Sequence, residues 1–307
     1  MRVVHGVDLA SLPDQFNNAK AGRTLILDGD GPCYVASATA KRLDTALRNF
    51  QTEVLKRMFL TQSESCRIHL TASGSDKHGR FRVIADKPYQ GNRENKAKPT
   101  LLEPLREAVA DNATWLPEYT AILHKELEAD DGMMQDAYLL KEDGVISSED
   151  KDLRMTPYLY YESSKGQVMP SQPEGWVSLK CTDGGSVKLI GQGPMFFWGQ
   201  MLAGDTADNV RGIRKLNGKL CGPAGAYECL KDITSVNIAA NVVIEHYRAV
   251  DQNVLAEGWL LWLTRWRGDN VLTYLRSLDL SDKNRAFVEE CLTRAWVKPK
   301  ETNDRNE

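Results

Sequence analysis

Apolar residues in this chain occur as short solid runs that alternate with longer, spaced stretches. Leu25-Ile26-Leu27, Ile68-His69-Leu70, Ala121-Ile122-Leu123 and Val145-Ile146 are runs of strand length bounded by polar residues. They predict strands over 24–28, 67–71, 121–123 and 145–148. Between them the spacing turns helical. Ala38, Leu43, Ala46, Leu47, Phe50, Val54, Leu55, Met58 and Phe59 recur at intervals of three and four, which predicts one helix over 33–62. Further helices are expected at 101–110, 129–140, 192–203 and 226–233, and most of the chain beyond is helical. There Trp259, Leu260, Trp262, Leu263 and Trp266 mark an apolar face, read as core rather than as a platform for stacking bases. Residues 158–179 are turn-rich and suit hairpin strands. Residues 73–100 are polar, glycine-containing and basic, and read as a mobile segment. Strands alternating with helices and then a helical third predict an α/β domain over 1–190, a helical region over 191–297 and a disordered charged tail over 298–307.

The 307 residues are 42% hydrophobic and 26% charged, which is ordinary for a globular protein. Nowhere is there an apolar run of membrane-spanning length, and Met1-Arg2-Val3-Val4-His5 lacks the order of a signal peptide. Six scattered cysteines without a C-x-x-C read as reduced, mostly buried thiols, so a cytoplasmic location is expected. A net charge of -3 argues against indiscriminate nucleic-acid binding, yet acidic clusters would hide a local basic stripe in that total. The five histidines show no metal-ligand spacing, so zinc is not expected.

Carboxylates collect where the apolar runs end. Asp28-Gly29-Asp30 closes the first run, and Asp76 lies six residues past Leu70. Glu128-Ala129-Asp130-Asp131 opens a helical pattern, Glu149-Asp150-Lys151-Asp152 follows Ser148, and Asp205 and Asp208 lie in a glycine-flanked turn. Each has a bland reading as a turn, a helix cap or a complement to the helix dipole. Repeated in register with successive strand ends, they point to one shared site, because strand C-termini converge in parallel sheets. Crowded carboxylates repel one another and need cations. Hard, oxygen-seeking Mg²⁺ or Mn²⁺ suits them, and a pair of such ions cleaves phosphodiesters.

The order D-G-D, E-A-D-D, D-K-D and G-D-T-A-D-N-V-R-G-I resembles the 5′-nuclease family, which includes flap endonucleases and phage 5′–3′ exonucleases. Tyr89-Gln90-Gly91-Asn92-Arg93 resembles the family's Y-K-G-N-R arch motif, and 148–154 its S-x-D-K-D stretch. The resemblance covers roughly 24–230. It implies a PIN-like (resolvase-like) α/β fold, a mostly parallel sheet with flanking helices, followed by a helical helix–three-turn–helix that grips DNA. It implies two metal ions, Mg²⁺ or Mn²⁺. Asp28, Asp76, Glu128, Asp130 and Asp131 would stand near one and Asp150, Asp152, Asp205 and Asp208 near the other, with Asp30 close by. It also implies a K⁺ ion in the helix–three-turn–helix. The expected partner is DNA with a free 5′ end, a 5′ flap or an RNA primer, with neither membrane nor haem or nucleotide cofactor.

Two departures stand out. Gln90 occupies the place of the arch lysine that polarises the scissile phosphate, leaving Arg93, Lys87 and Lys96 as candidates for that charge. After Gly212-Ile213 an insertion, Arg214 to Leu220, precedes Gly222, and the usual lysine near Ala224 is missing. Tyr89, Lys98, Gly212, Arg214, Lys215, Lys219 and Gly222 are the expected DNA contacts, with Tyr89 stacking on a base. The reading is a metal-dependent 5′–3′ exonuclease or 5′-flap endonuclease. The alternatives are a DNA-structure-binding protein that cleaves little and a PIN-like ribonuclease.

Overall fold

Leu25, Ile26 and Leu27 are sealed from solvent because their strand lies inside a sheet covered on both faces. The computed structural model describes residues 19–93 (the Arg93 side chain excepted), 98–111, 115–182 and 184–299, with the short backbone ladder of β1 (Val3–Val4) and β2 (Val7–Asp8). The expectations for Lys96, for the Arg93 side chain and for the tail from 300 onward lie outside the described residues.

Among the described residues the central sheet has six strands: β3 (Thr24–Asp28), β4 (Ser65–Thr71), β5 (Tyr119–His124), β6 (Gly144–Ser147), β7 (Tyr160–Glu162) and β8 (Gln167–Met169). Their spatial order is β5-β4-β3-β6-β7-β8, parallel throughout except for the β7–β8 hairpin. Strand side chains alternate between faces. Leu25 and Leu27 join the core under α1 (Asp30–Thr39), α2 (Leu43–Thr61) and α3 (Leu102–Ala110). Ile26 points the other way, into a core shared with α4 (Ala129–Leu140) and the C-terminal helices.

The single helix expected over 33–62 is two. Ala40 and Arg42 are extended, with ψ of 151° and 145°, and α2 starts afresh. The apolar period continues across the break because Cys33 and Ala36 of α1, and Ala46, Phe50 and Val54 of α2, face the same core. Periodicity reports the shared face and not the kink.

A second hairpin, β9 (Trp176–Cys181) with β10 (Val187–Gln192), leads into α5 (Gly193–Ala203). The helices α6 (Pro223–Leu230), α7 (Val236–Ala249), α8 (Val254–Leu261), α9 (Val271–Ser277) and α10 (Asp282–Thr293) follow. Trp262, Leu260 and Leu263 are core, whereas Trp266 is 47% exposed with the Arg265 guanidinium over its ring. Among the described residues no helix is long and apolar enough to cross a membrane. Cys33, Cys66 and Cys291 are buried, Cys221 and Cys229 are partly buried, and Cys181 is exposed.

The segment read as mobile is pinned at its base. Arg80, Tyr89 and Gln90 are buried. Val83 bridges Val297, and the Ile84 and Lys298 amides donate to Trp296 and Arg82 carbonyls. Its polarity hid a buried arginine that finds its partner 51 residues away.

Candidate metal centre

Strands β3, β4, β5 and β6 run parallel, so their C-terminal ends share one edge of the sheet. Asp28 ends β3. Its Oδ2 accepts from the Ser148 hydroxyl at 2.7 Å and its Oδ1 from the Asp30 amide at 3.0 Å. Desolvation, then the charges of Asp30 and Asp150, push its carboxyl up to about 6. Asp130 lies in the first turn of α4. Desolvation, followed by Asp150, Asp28, Glu128 and Asp30, holds its carboxyl well above the usual range. Asp30 opens α1, accepts from the Thr71 amide and pairs with Arg106 at 3.0 Å. These acids form one mutually repelling group.

Asp152, Asp205 and Asp208 form a second, with carboxylate oxygens within 4.8 Å of one another. Lys151 Nζ stands between two of them, 3.1 Å from Asp152 and 3.1 Å from Asp205. Gln200 also donates to Asp152 at 2.6 Å. Burial keeps the Asp152 carboxyl well above its usual range, with Asp150, Asp205 and Asp208 adding to the push against Lys151. Asp205 falls below its usual range: burial opposes ionisation, but Lys151 and the Ala207 amide outweigh it. The turn holding Asp205 closes by reciprocal bonds with Val210. It needs glycine at both ends. Gly204 and Gly212 have φ of 73° and 72°, and a Cβ on Gly212 would strike the Gly204 backbone.

Asp150 belongs with both groups, since it raises the proton affinity of Asp28, Asp130 and Asp152 alike. Gln90 joins them physically. Its amide nitrogen donates to Asp208 at 3.1 Å and lies 3.4 Å from Glu128, while its oxygen accepts from Lys77 Nζ at 2.7 Å. Lys77 Nζ also pairs with Glu128 at 3.0 Å. Sequence reading missed Lys77, because nothing in a polar segment marks which lysine folds inward.

Several expected assignments fall elsewhere. Asp131 is not turned to the cluster: both its oxygens bond Arg80, at 2.7 and 2.9 Å, and Oδ1 also accepts from the Thr264 amide. These partners hold its carboxyl below the usual range although it is buried. Glu128 caps α4 and receives Arg80, Lys77 and the Tyr89 hydroxyl. Asp76 lies half-exposed, 3.6 Å from Arg82. Tyr89 is 6% exposed with its hydroxyl on Glu128 and Asp208, so its ring offers no face to a base. Lys87 and Lys98 are exposed.

Beneath the site, His69 links His124 at 2.9 Å and Asp136 at 3.0 Å. Desolvation lowers both imidazoles, His124 to about 4, so they are neutral at pH 7. Gly132 lets α4 reach this pair, since a Cβ there would run into both rings.

In the inserted turn, Leu216 and Lys219 bond reciprocally around Asn217 and Gly218, whose φ are 50° and 77°. That is the geometry an Asn-Gly turn favours, so the insertion is a tight hairpin carrying exposed Lys215 and Lys219. Gly222 caps α6. Gly212 is buried and its amide donates to Glu257 at 3.1 Å, so that amide is not available to a phosphate. Arg214 is engaged by Asp86.

No protein-family model and no curated protein matches this sequence. Solved structures do. The bacteriophage T5 5′-exonuclease with bound divalent zinc superposes with a TM-score of 0.53 at 13% identity, covering 88% of this chain and 98% of that one. The T5 flap endonuclease in a pseudo-enzyme-product complex with DNA and metal ions gives 0.50 at 13% identity, with 88% and 98% covered. At such identity the likeness speaks for architecture, and the chain carries the 5′-nuclease fold, a mostly parallel PIN-like α/β sheet followed by helices.

Proposed function

We propose that this chain is a divalent-metal-dependent 5′ nuclease that hydrolyses DNA phosphodiesters. The observation that carries the reading is the meeting of two carboxylate groups at one sheet edge, three of whose members, Asp28, Asp130 and Asp152, resist ionisation there. The donor set is all oxygen, which suits Mg²⁺ or Mn²⁺ rather than a softer ion. The fit is supported further by Lys151, whose ammonium lies where Asp152 and Asp205 call for positive charge. Asp28, Asp130 and Asp150 would hold one ion and Asp152, Asp205 and Asp208 the other, with Asp30 and Glu128 near the first. Asp131 is assigned to the scaffold. When bound, such ions supply Lewis-acid stabilisation of phosphate charge.

In the reaction a water oxygen bonds to phosphorus and releases a proton. The P–O3′ bond breaks, its electron pair leaves on O3′, and O3′ takes up a proton. A 5′-phosphate and a 3′-hydroxyl result. Exposed Lys215 and Lys219 on the hairpin turn, and the α6 N-terminus at Gly222, suit the backbone of the duplex. The substrate is DNA with a free 5′ end, a 5′ flap or an RNA primer; by the same resemblance the role is in phage DNA replication.

The test is cleavage of end-labelled 5′-flap DNA, blunt duplex and RNA·DNA hybrid, in Mg²⁺ or EDTA. The expected result is Mg²⁺-dependent product from the DNA flap or duplex. Binding of flap DNA without product in Mg²⁺ or Mn²⁺ would reassign the protein as a structure-specific DNA binder.

A further inference from the structure

The geometry points to Lys77 as the side chain that supplies the phosphate-polarising charge of this site, with Gln90 as the residue that positions it. The inference rests on the nuclease reading.

A phosphodiester entering a cleft walled by carboxylates needs a cationic side chain with a free N–H. The described cations near the cleft are mostly committed. Arg80 is 1% exposed and spends its guanidinium on Asp131, Glu128 and the Trp262 carbonyl. Lys151 is held between Asp152 and Asp205. Arg106 pairs with Asp30 and Glu103, and Arg211 and Arg214 pair with Asp86. Lys77 differs from Lys151 in what it faces. Each directs two of its three N–H groups to partners, but Lys151 meets two carboxylates, whereas Lys77 meets one, Glu128 at 3.0 Å, and the neutral amide of Gln90 at 2.7 Å, so less of its charge is offset, and its side chain keeps 21% exposure. Its Nζ also lies 5.4 Å from the centre of the Phe81 ring, within reach of a cation–π contact.

The backbone is bent to bring it there. Lys77 and His78 have φ of 49° and 56°, left-handed values that non-glycine residues rarely adopt, and Gly79 follows at 71°. Such strain persists where the surroundings over-determine it. Here the His78 amide donates to the Glu126 carbonyl, the Trp259 indole donates to the His78 carbonyl, and Arg80 anchors the next turn.

Gln90 explains why the charge can come from Lys77. An ammonium at position 90 would lie beside that of Lys77. A neutral amide instead turns its oxygen to Lys77 and its nitrogen to Asp208 and Glu128. The reverse orientation would set an oxygen against two carboxylates. In this chain a neutral amide stands at position 90 and the positive charge beside it at position 77.

The experiment compares wild type, Lys77→Met, Gln90→Lys and the double variant in single-turnover cleavage of one 5′-flap DNA in Mg²⁺. Flap affinity is measured in EDTA, and all rates are taken below each variant's melting transition. Methionine keeps an unbranched apolar side chain of similar length and removes the charge. Lys77→Met is expected to slow cleavage by about 10²-fold, the scale of losing a group that stabilises transition-state charge, while flap affinity falls less than about tenfold. Gln90→Lys alone brings no gain, yet in the Lys77→Met background it recovers at least about tenfold of the lost rate. A Lys77→Met protein as fast as wild type overturns the proposal and leaves the nuclease reading intact. A slow Lys77→Met that Gln90→Lys does not rescue also overturns it, because it assigns Lys77 to the scaffold. A wild-type protein with no metal-dependent product overturns the nuclease reading, and the proposal with it.

Discussion

Arg80 and Asp131 grip each other through two hydrogen bonds, 2.7 and 2.9 Å long, where both side chains are sealed from solvent. The pair ties the segment that follows β4 to α4, and through the Trp262 carbonyl and Thr264 amide to the chain after α8. Losing one partner of such a pair strands the other charge and typically costs about 3–5 kcal/mol. Asp131→Ala is therefore expected to lower unfolding stability by about that much. The adjacent Asp130→Ala should do the opposite. It removes a member of a repelling group, so the metal-free protein should melt no lower than wild type while cleavage is lost. Urea unfolding and flap cleavage of the two variants check both. Equal destabilisation by the two would contradict the division of roles.

That division also marks how far the sequence could be read. Asp28, Asp130 and Asp150 were legible because apolar runs locate strand ends, and parallel strand ends share an edge. Asp130 and Asp131 were not separable, since successive helical residues point about 100° apart and only the neighbouring elements decide which one meets Arg80. Lys77 was invisible for the same reason: its partners, Gln90 and Glu128, are 13 and 51 positions away. The break between α1 and α2 left no trace because both helices feed one core.

Lys151 neutralises Asp152 and Asp205 in the metal-free protein. A divalent ion taking its place must displace that ammonium. Lys151→Met should thus lower the metal-free melting temperature by leaving Asp152, Asp205 and Asp208 to repel. It should also enlarge the rise in melting temperature that Mg²⁺ produces, because ligands that bind the folded state stabilise it by mass action. Melting curves over a Mg²⁺ series read both effects. An unchanged Mg²⁺ response in Lys151→Met would place the ion away from these three carboxylates.

Glu257 gives a pH signature separate from the metal centre. Burial raises its carboxyl to about 7, with Asp86 adding to the push and the Gly212 amide and Arg214 opposing it. A group whose folded pKa exceeds its unfolded value contributes stability below the unfolded pKa, near 4.5, and loses it as pH rises through about 7. Glu257→Gln keeps an acceptor for the Gly212 amide but cannot ionise. Its melting temperature relative to wild type should therefore climb between pH 4.5 and 8, the window set by that shift. A constant offset across that window would show that Glu257 is not buried against Gly212 in solution.

The hairpin turn makes a final expectation about DNA. Lys215 and Lys219 are exposed on either side of the Asn217-Gly218 turn, whereas Arg214 is occupied by Asp86. Exposed lysines that meet phosphates release counterions, and removing one such lysine lowers the slope of log K against log salt by about 1. Lys215→Ala and Lys219→Ala should each weaken duplex binding and flatten the salt dependence by about that amount. Arg214→Ala should leave the slope nearly unchanged and lower the melting temperature instead, because it leaves Asp86, beside Glu257, with the longer 3.6 Å contact to Arg211. Binding isotherms in EDTA from low to physiological salt separate the three residues. A slope that drops for Arg214→Ala and not for the two lysine variants would move the phosphate-binding surface off the hairpin and onto the segment that pairs with Asp86.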